Sequence, residues 1–221
     1  MSRPRQKVTD EDVFAAAQRA MSRRGPHELV LADIAREAGV TAGRLVQRFG
    51  SKRALLTALS ERFAGSANAV FAGLRAANRA PLATVRAYAI CMADLAPTPE
   101  ALLRNLAYLQ RDLADDVLRR HLLDNARATR REIKSLLRAA VERGELQRNV
   151  DVGTLARTVE TVIGGSLMSW ATYRDGKAAD WIALDVEAVL GPWLRRPREK
   201  GATASHGRRD DERSRRRVRG S

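Results

Sequence analysis

The chain has 221 residues, of which 44% are hydrophobic and only 5% aromatic. That balance favours packed helices over sandwiched sheets, because strands draw on aromatic and β-branched residues. Lys and Arg number 40 against 26 Asp and Glu, a formal charge of +14, so an acidic partner is expected and nucleic acid is the first candidate. No apolar run reaches the roughly 20 residues needed to span a bilayer. The N-terminus lacks the apolar segment of a secretory leader, so no membrane partner and a cytoplasmic location are expected. Cys91 stands alone, and His27, His121 and His206 lie far apart without H-x-x-H spacing. An internal disulfide is excluded, and neither a metal nor another cofactor is expected.

The charge gathers at the ends. Residues 1–60 carry 11 basic and 6 acidic side chains, residues 61–194 carry 18 and 16, and residues 195–221 carry 11 and 4. In chain order, residues 1–8 read as a flexible basic arm. Thr9 or Asp10 caps a first helix over about 10–23, with Val13, Phe14, Ala17, Ala20 and Met21 at helical spacing. Gly25 and Pro26 stop it. Leu31, Ile34, Ala35 and Ala38 mark a short second helix ending at Gly39. Thr41 caps a third over 42–48, and Ser51 caps a fourth that runs to about Leu74. Further helices follow over about 82–95, 99–112, 115–143, 155–173 and 178–193. The reading is all-α, with about nine helices and no alternating strand pattern. From Arg195 the sequence turns to Arg, Gly, Ser and Asp, and a disordered tail is expected over 195–221. That tail could clamp nucleic acid without specificity, aid solubility, or do neither.

Residues 31–49 have the spacing of a helix-turn-helix. Ala35 is small where two helices cross, Gly39 can take the positive φ of a tight turn, and Ile34, Val40 and Leu45 supply a small core. The second helix then projects its outer face toward a DNA major groove. One such helix reads too few base pairs to be selective, and a two-fold dimer solves this. No nucleophile–base pair, metal cluster or phosphate loop stands out, so an enzyme is not expected.

The stretch from Thr9 to Leu59 resembles the TetR family of bacterial transcriptional repressors. The likeness is carried above all by I-A-R-E-A-G-V-T-A-G-R-L-V-Q-R-F-G-S-K-R-A-L-L over 34–56. The family pattern reads I-A-x-x-A-G-V-S-x-G-x-L-Y-x-x-F-x-x-K-x-x-L. One departure is Val46, which stands where the family usually has a Tyr that meets a phosphate. The body matches loosely, although residues 139–170 resemble the family's passage into its dimerisation helix. The resemblance implies a head over 9–50 and a ligand-binding and dimerisation body over 51–194.

It also implies residue roles. Thr41 and Ala42 would open the recognition helix against DNA, and Gly43 would allow close approach. Arg44 and Gln47 would face base edges, matching the guanine and adenine patterns open to Arg and Gln. Arg48 and Lys52 would hold phosphates. A four-helix dimer interface is expected from the last two helices, through Val162, Gly165, Ser166, Trp170, Val186 and Val189. A pocket for a small organic ligand is expected in the body, with Phe71, Tyr88, Met92, Tyr108, Glu160 and Met168 as candidates. Glu160 interrupts an apolar helix face and, if buried, needs a partner, either a cationic ligand or a neighbouring Arg. The functional expectation is a dimeric repressor, released from a palindromic operator by a ligand. The alternative is a constitutive architectural DNA-binding protein without an effector.

Overall fold

The computed structural model describes residues 8–195. The basic arm and the Arg-rich tail therefore lie outside the described residues, apart from Val8 and Arg195. Helix α1 (Asp10–Arg23) opens on a reciprocal cap: the Thr9 hydroxyl accepts the Asp12 amide at 3.2 Å, and the Asp12 carboxylate accepts the Thr9 amide at 2.8 Å. Asp10, Glu11 and Asp12 sit where the helix dipole favours negative charge. Helices α2 (Leu31–Ala38) and α3 (Ala42–Phe49) follow. Gly39 joins them with φ 67° and ψ 28°, a left-handed turn that a side chain would strain. Val13, Ala17, Leu29, Ile34, Ala35, Leu45 and Leu55 close one small core beneath this turn.

The expected fourth helix divides in two, α4 (Lys52–Ala64) and α5 (Ala67–Ala77). The Gly65 amide bonds back to Glu61 and Phe63, and the Ser66 hydroxyl donates to the Phe63 carbonyl at 2.8 Å. These bonds take up the carbonyls of the last turn and end the helix. Then come α6 (Pro81–Cys91), a 3-10 turn over Met92–Leu95, α7 (Pro99–Ala114), α8 (Asp116–Glu142), α9 (Val152–Tyr173) and α10 (Ala178–Leu190). Helix α9 starts before the expected Leu155 because the Asp151 carboxylate accepts the Gly153 and Thr154 amides. The described residues hold ten α-helices and no strand; one isolated bridge joins Leu146 and Leu194. No helix among them is long and apolar enough to cross a membrane.

The body packs around α8, whose buried face includes Ile133, Leu136, Leu137 and Ala140. Phe71 and Val85 meet it from α5 and α6, Val159 and Ile163 from α9, and Ile182, Val186 and Leu190 complete the same core from α10. Each fully buried side chain of this size stabilises the fold by roughly 1.5–3 kcal/mol. The head meets the body where α1 packs against α7 and where α4, whose Leu55 and Leu59 join the head's core, carries it onto α8.

Candidate functional site

The outer face of α3 is the first candidate. Leu45 is buried in the head and fixes the helix rotation, while Gly43, Arg44, Val46, Gln47 and Arg48 are exposed. Thr41 caps the helix, its hydroxyl accepting the Arg44 amide at 3.3 Å. The basic side chains nearby differ in their commitments. The Arg48 guanidinium donates to the Val8 carbonyl at 2.9 Å and pairs with Asp10. Arg36 pairs with the buried Asp33, and Arg53 reaches Asp115 at 2.7 Å. Arg44 forms no ion pair among the described residues, so it is the cation of α3 left available for an outside partner. Val46, 47% exposed, presents an apolar surface at the family's Tyr position.

Lys52 stands differently from the expectation. Its ammonium donates to the Leu29 carbonyl at 2.7 Å and the Pro26 carbonyl at 3.3 Å, and the side chain is half-buried. It ties the start of α4 to the loop between α1 and α2. Without DNA the charge is taken up by main-chain oxygens inside the head, and the expected phosphate contact would require the ammonium to leave them.

Tyr108 also departs from its expected place. It belongs to the head's core, and its hydroxyl donates to the Arg24 carbonyl at 2.9 Å. Arg104, one turn earlier on α7, donates to the Ser22 carbonyl at 2.6 Å. Together they grip the C-terminal end of α1, so Tyr108 joins head to body. Burial pushes its hydroxyl up to about 12. Only the tertiary packing of α7 on α1 reveals this seam.

A cavity of about 280 Å³ opens between α6, the turn at Met92–Leu95, α8 and α9. Tyr88, Met92, Thr129, Glu160, Ile163 and Leu167 are among its lining residues. Three of the six expected pocket residues, Tyr88, Met92 and Glu160, are thus brought together. Phe71 is not in the lining; it is fully buried behind the cavity, its ring stacked on Tyr88 with centroids 4.5 Å apart. Met168 lies on the outer surface at 49% exposure. Sequence reasoning missed Asn125 and Thr129, which line the cavity from α8. Their i, i+4 spacing on one helix face was the available signal. Glu160 finds a protein partner, with Arg130 donating to it at 2.5 Å. Burial holds the Tyr88 hydroxyl up at about 12, so it remains neutral at physiological pH.

The interface expectations separate by face. Trp170, Ser166 and Val186 turn into their own chain's core. The Trp170 indole donates to the Gly176 carbonyl at 3.2 Å, and the Ser166 hydroxyl lies 2.7 Å from both the Val162 carbonyl and the Asp185 carboxylate. All three are buried within their own chain, where α9 and α10 pack on each other through that side. Val162 and Val189 are half-buried, and Gly165 is exposed. The outward side of the α9–α10 pair instead carries Gly165, Met168, Tyr173, Leu184 and Ala188. Tyr173 stacks on Trp181 at 5.6 Å there, and Tyr173 and Leu184 are each 72% exposed.

Comparison with known proteins agrees with this geometry. A family model described as bacterial regulatory proteins, tetR family, matches residues 13–59. A second, described as a tetracyclin repressor-like C-terminal domain, matches residues 107–184. No curated protein matches the chain by sequence. Among solved structures, a TetR transcription regulator from Haloarcula marismortui has a TM-score of 0.65 at 19% identity, over 84% of this chain and 97% of its own. SmeT, the repressor of the Stenotrophomonas maltophilia multidrug efflux pump SmeDEF, has a TM-score of 0.60 at 20% identity, over 85% of this chain and 91% of its own. FadR from Bacillus subtilis, in complex with stearoyl-CoA, has a TM-score of 0.61 at 14% identity, over 82% of this chain and 98% of its own. With a helix-turn-helix that matches in both sequence and geometry and a body that matches the C-terminal model, the chain belongs to the TetR family of bacterial transcriptional regulators.

Proposed function

We propose that this regulator is a dimeric repressor, held on a palindromic operator by its two α3 helices and released when a small organic ligand enters the cavity beside α8 and α9. The observation that carries the DNA reading is the division of labour on α3: Arg44 and Gln47 are exposed and uncommitted, while Arg48 is tied to Val8 and Asp10. Arg44 takes guanine and Gln47 takes adenine in the groove, and Thr41, Ala42 and Gly43 bring the helix start to the backbone. The head comprises residues 9–50 and the body 51–194, and the protein acts in the cytoplasm, where its DNA lies. The dimer forms through the outward apolar side of α9 and α10, with Gly165, Met168, Tyr173 and Leu184 at its centre. Support for a ligand-responsive body comes from the cavity and from the structural likeness to a FadR holding stearoyl-CoA. Selection from a random pool of 30-base-pair duplexes tests the proposal. Recovery of a two-fold symmetric site with half-sites about one helical turn apart supports it. Uniform retention of all sequences, with steep salt dependence, favours a constitutive architectural DNA-binding protein instead.

A further inference from the structure

From the chemistry of the cavity wall we infer that the ligand is a cation, a protonated amine on a compact apolar skeleton, with Glu160 as its counter-charge. The inference rests on the cavity being the effector site. Met92, Leu95, Ile163 and Leu167 supply the apolar wall. The polar groups are the Tyr88 hydroxyl, the Asn125 amide, the Thr129 hydroxyl and the Glu160 carboxylate. Tyr88 is neutral, and Glu160 is the one carboxylic side chain of a lining that holds no Lys, Arg or His. An anionic ligand would find no basic side chain in the lining, since Arg130, the partner of Glu160, lies outside it. An ammonium group would find Glu160, with neutral oxygens on the facing helices to accept its remaining protons.

Arg130 does not close the site to such a ligand. It reaches Glu160 by its Nε, but its side chain is 52% exposed while that of Glu160 is 17% exposed. Its guanidinium is not part of the cavity wall. The pair is open to water on the Arg130 side, so a displaced guanidinium returns to solvent while the ammonium takes over the half-buried carboxylate. The entering ammonium therefore exchanges one cation for another on the same carboxylate. Gly164 faces open space at the cavity edge, with nothing within 4 Å of where a Cβ would lie, and leaves room for the skeleton. At native packing density a space of this size holds about ten to twelve non-hydrogen atoms.

Calorimetric titration of the full chain with three matched compounds, 4-phenylbutylamine, 4-phenylbutanol and 4-phenylbutanoic acid, tests the inference. The amine should bind at least about tenfold more tightly than the alcohol, equivalent to about 1.4 kcal/mol, with the acid weakest. Glu160→Gln should bring the amine down to the affinity of the alcohol and leave the alcohol unchanged. Arg130→Ala should strengthen amine binding several-fold, because it removes the competing cation; a purely structural ion pair would instead make this variant bind all three alike or worse. Gly164→Leu should weaken all three by filling the space. Binding of none of the three, preference for the acid, or an amine preference that survives Glu160→Gln overturns the inference. Retention of the selected duplex, read on the same samples, keeps the two readings apart. A protein that holds its operator but prefers the acid defeats the cation assignment alone. One that prefers the amine but holds no preferred duplex supports that assignment and defeats the repressor reading.

Discussion

Lys52→Met separates two roles for a basic residue at the foot of α4. The ammonium donates to the carbonyls of Leu29 and Pro26 at 2.7 and 3.3 Å, and the loop they belong to leads directly into α2. Methionine keeps the length of the stem but cannot donate. Hydrogen bonds to a charged group contribute about 1.5–3 kcal/mol each. The longer bond is the weaker here, and water reaches part of this half-buried site, so the expected loss is about 1–2 kcal/mol per subunit. For a chain of this size that lowers the melting temperature by about 2–8 °C. The assay is thermal and urea unfolding at fixed protein concentration, together with affinity for the selected duplex at several salt concentrations. The internal role predicts reduced stability and an unchanged salt slope. A phosphate contact predicts a slope shallower by about 0.9 for each subunit. Unchanged stability with a shallower slope would refute the reasoning, because it would mean the ammonium leaves the carbonyls when DNA binds.

On α3, Arg44→Ala should cost about 1–3 kcal/mol of operator affinity and relax preference at one base pair per half-site, as read with a library of operator variants. Arg48→Ala, which breaks contacts to Val8 and Asp10, should change affinity for all sequences alike in the same library. Leu184→Arg, at a 72% exposed position, should give monomers by light scattering with the fold intact by circular dichroism. Trp170→Ala should instead destabilise each chain by about 3–5 kcal/mol in urea unfolding, since the ring is 5% exposed within its own core. Hydrogen bonds from Thr154 and Gly153 hold the Asp151 carboxylate below its ordinary range. Its stabilising contribution is therefore complete above about pH 5 and is lost as the pH falls through the lowered value. Urea midpoints at pH 7, 5 and 3 should fall less steeply with acid in Asp151→Asn than in the parent chain.

Local chemistry made most of the elements legible from sequence. Thr9, Thr41, Ser51, Thr98 and Asp115 each cap a helix with the side chain that capping requires, and Gly39 turns where only a residue without Cβ turns freely. The helix-turn-helix was equally legible, because its spacing and its small core lie within about twenty consecutive residues. The break at Gly65 was not, since a single Gly inside a periodic run does not by itself end a helix. Periodicity identifies an apolar face but not what that face meets. Trp170, Ser166 and Val186 have the spacing of an interface, yet the packing of α10 on α9 turns them inward and leaves Gly165, Met168 and Leu184 outside. Tyr108 looked like any buried aromatic of the body, and only the seating of α7 on α1 gives its hydroxyl the Arg24 carbonyl. Lys52 and Glu160 follow the same rule. A charged side chain announces that it needs a partner, but contacts 23 and 30 residues away, Leu29 for one and Arg130 for the other, decide which partner it gets. Such contacts depend on how helices distant in sequence cross, which no local pattern encodes.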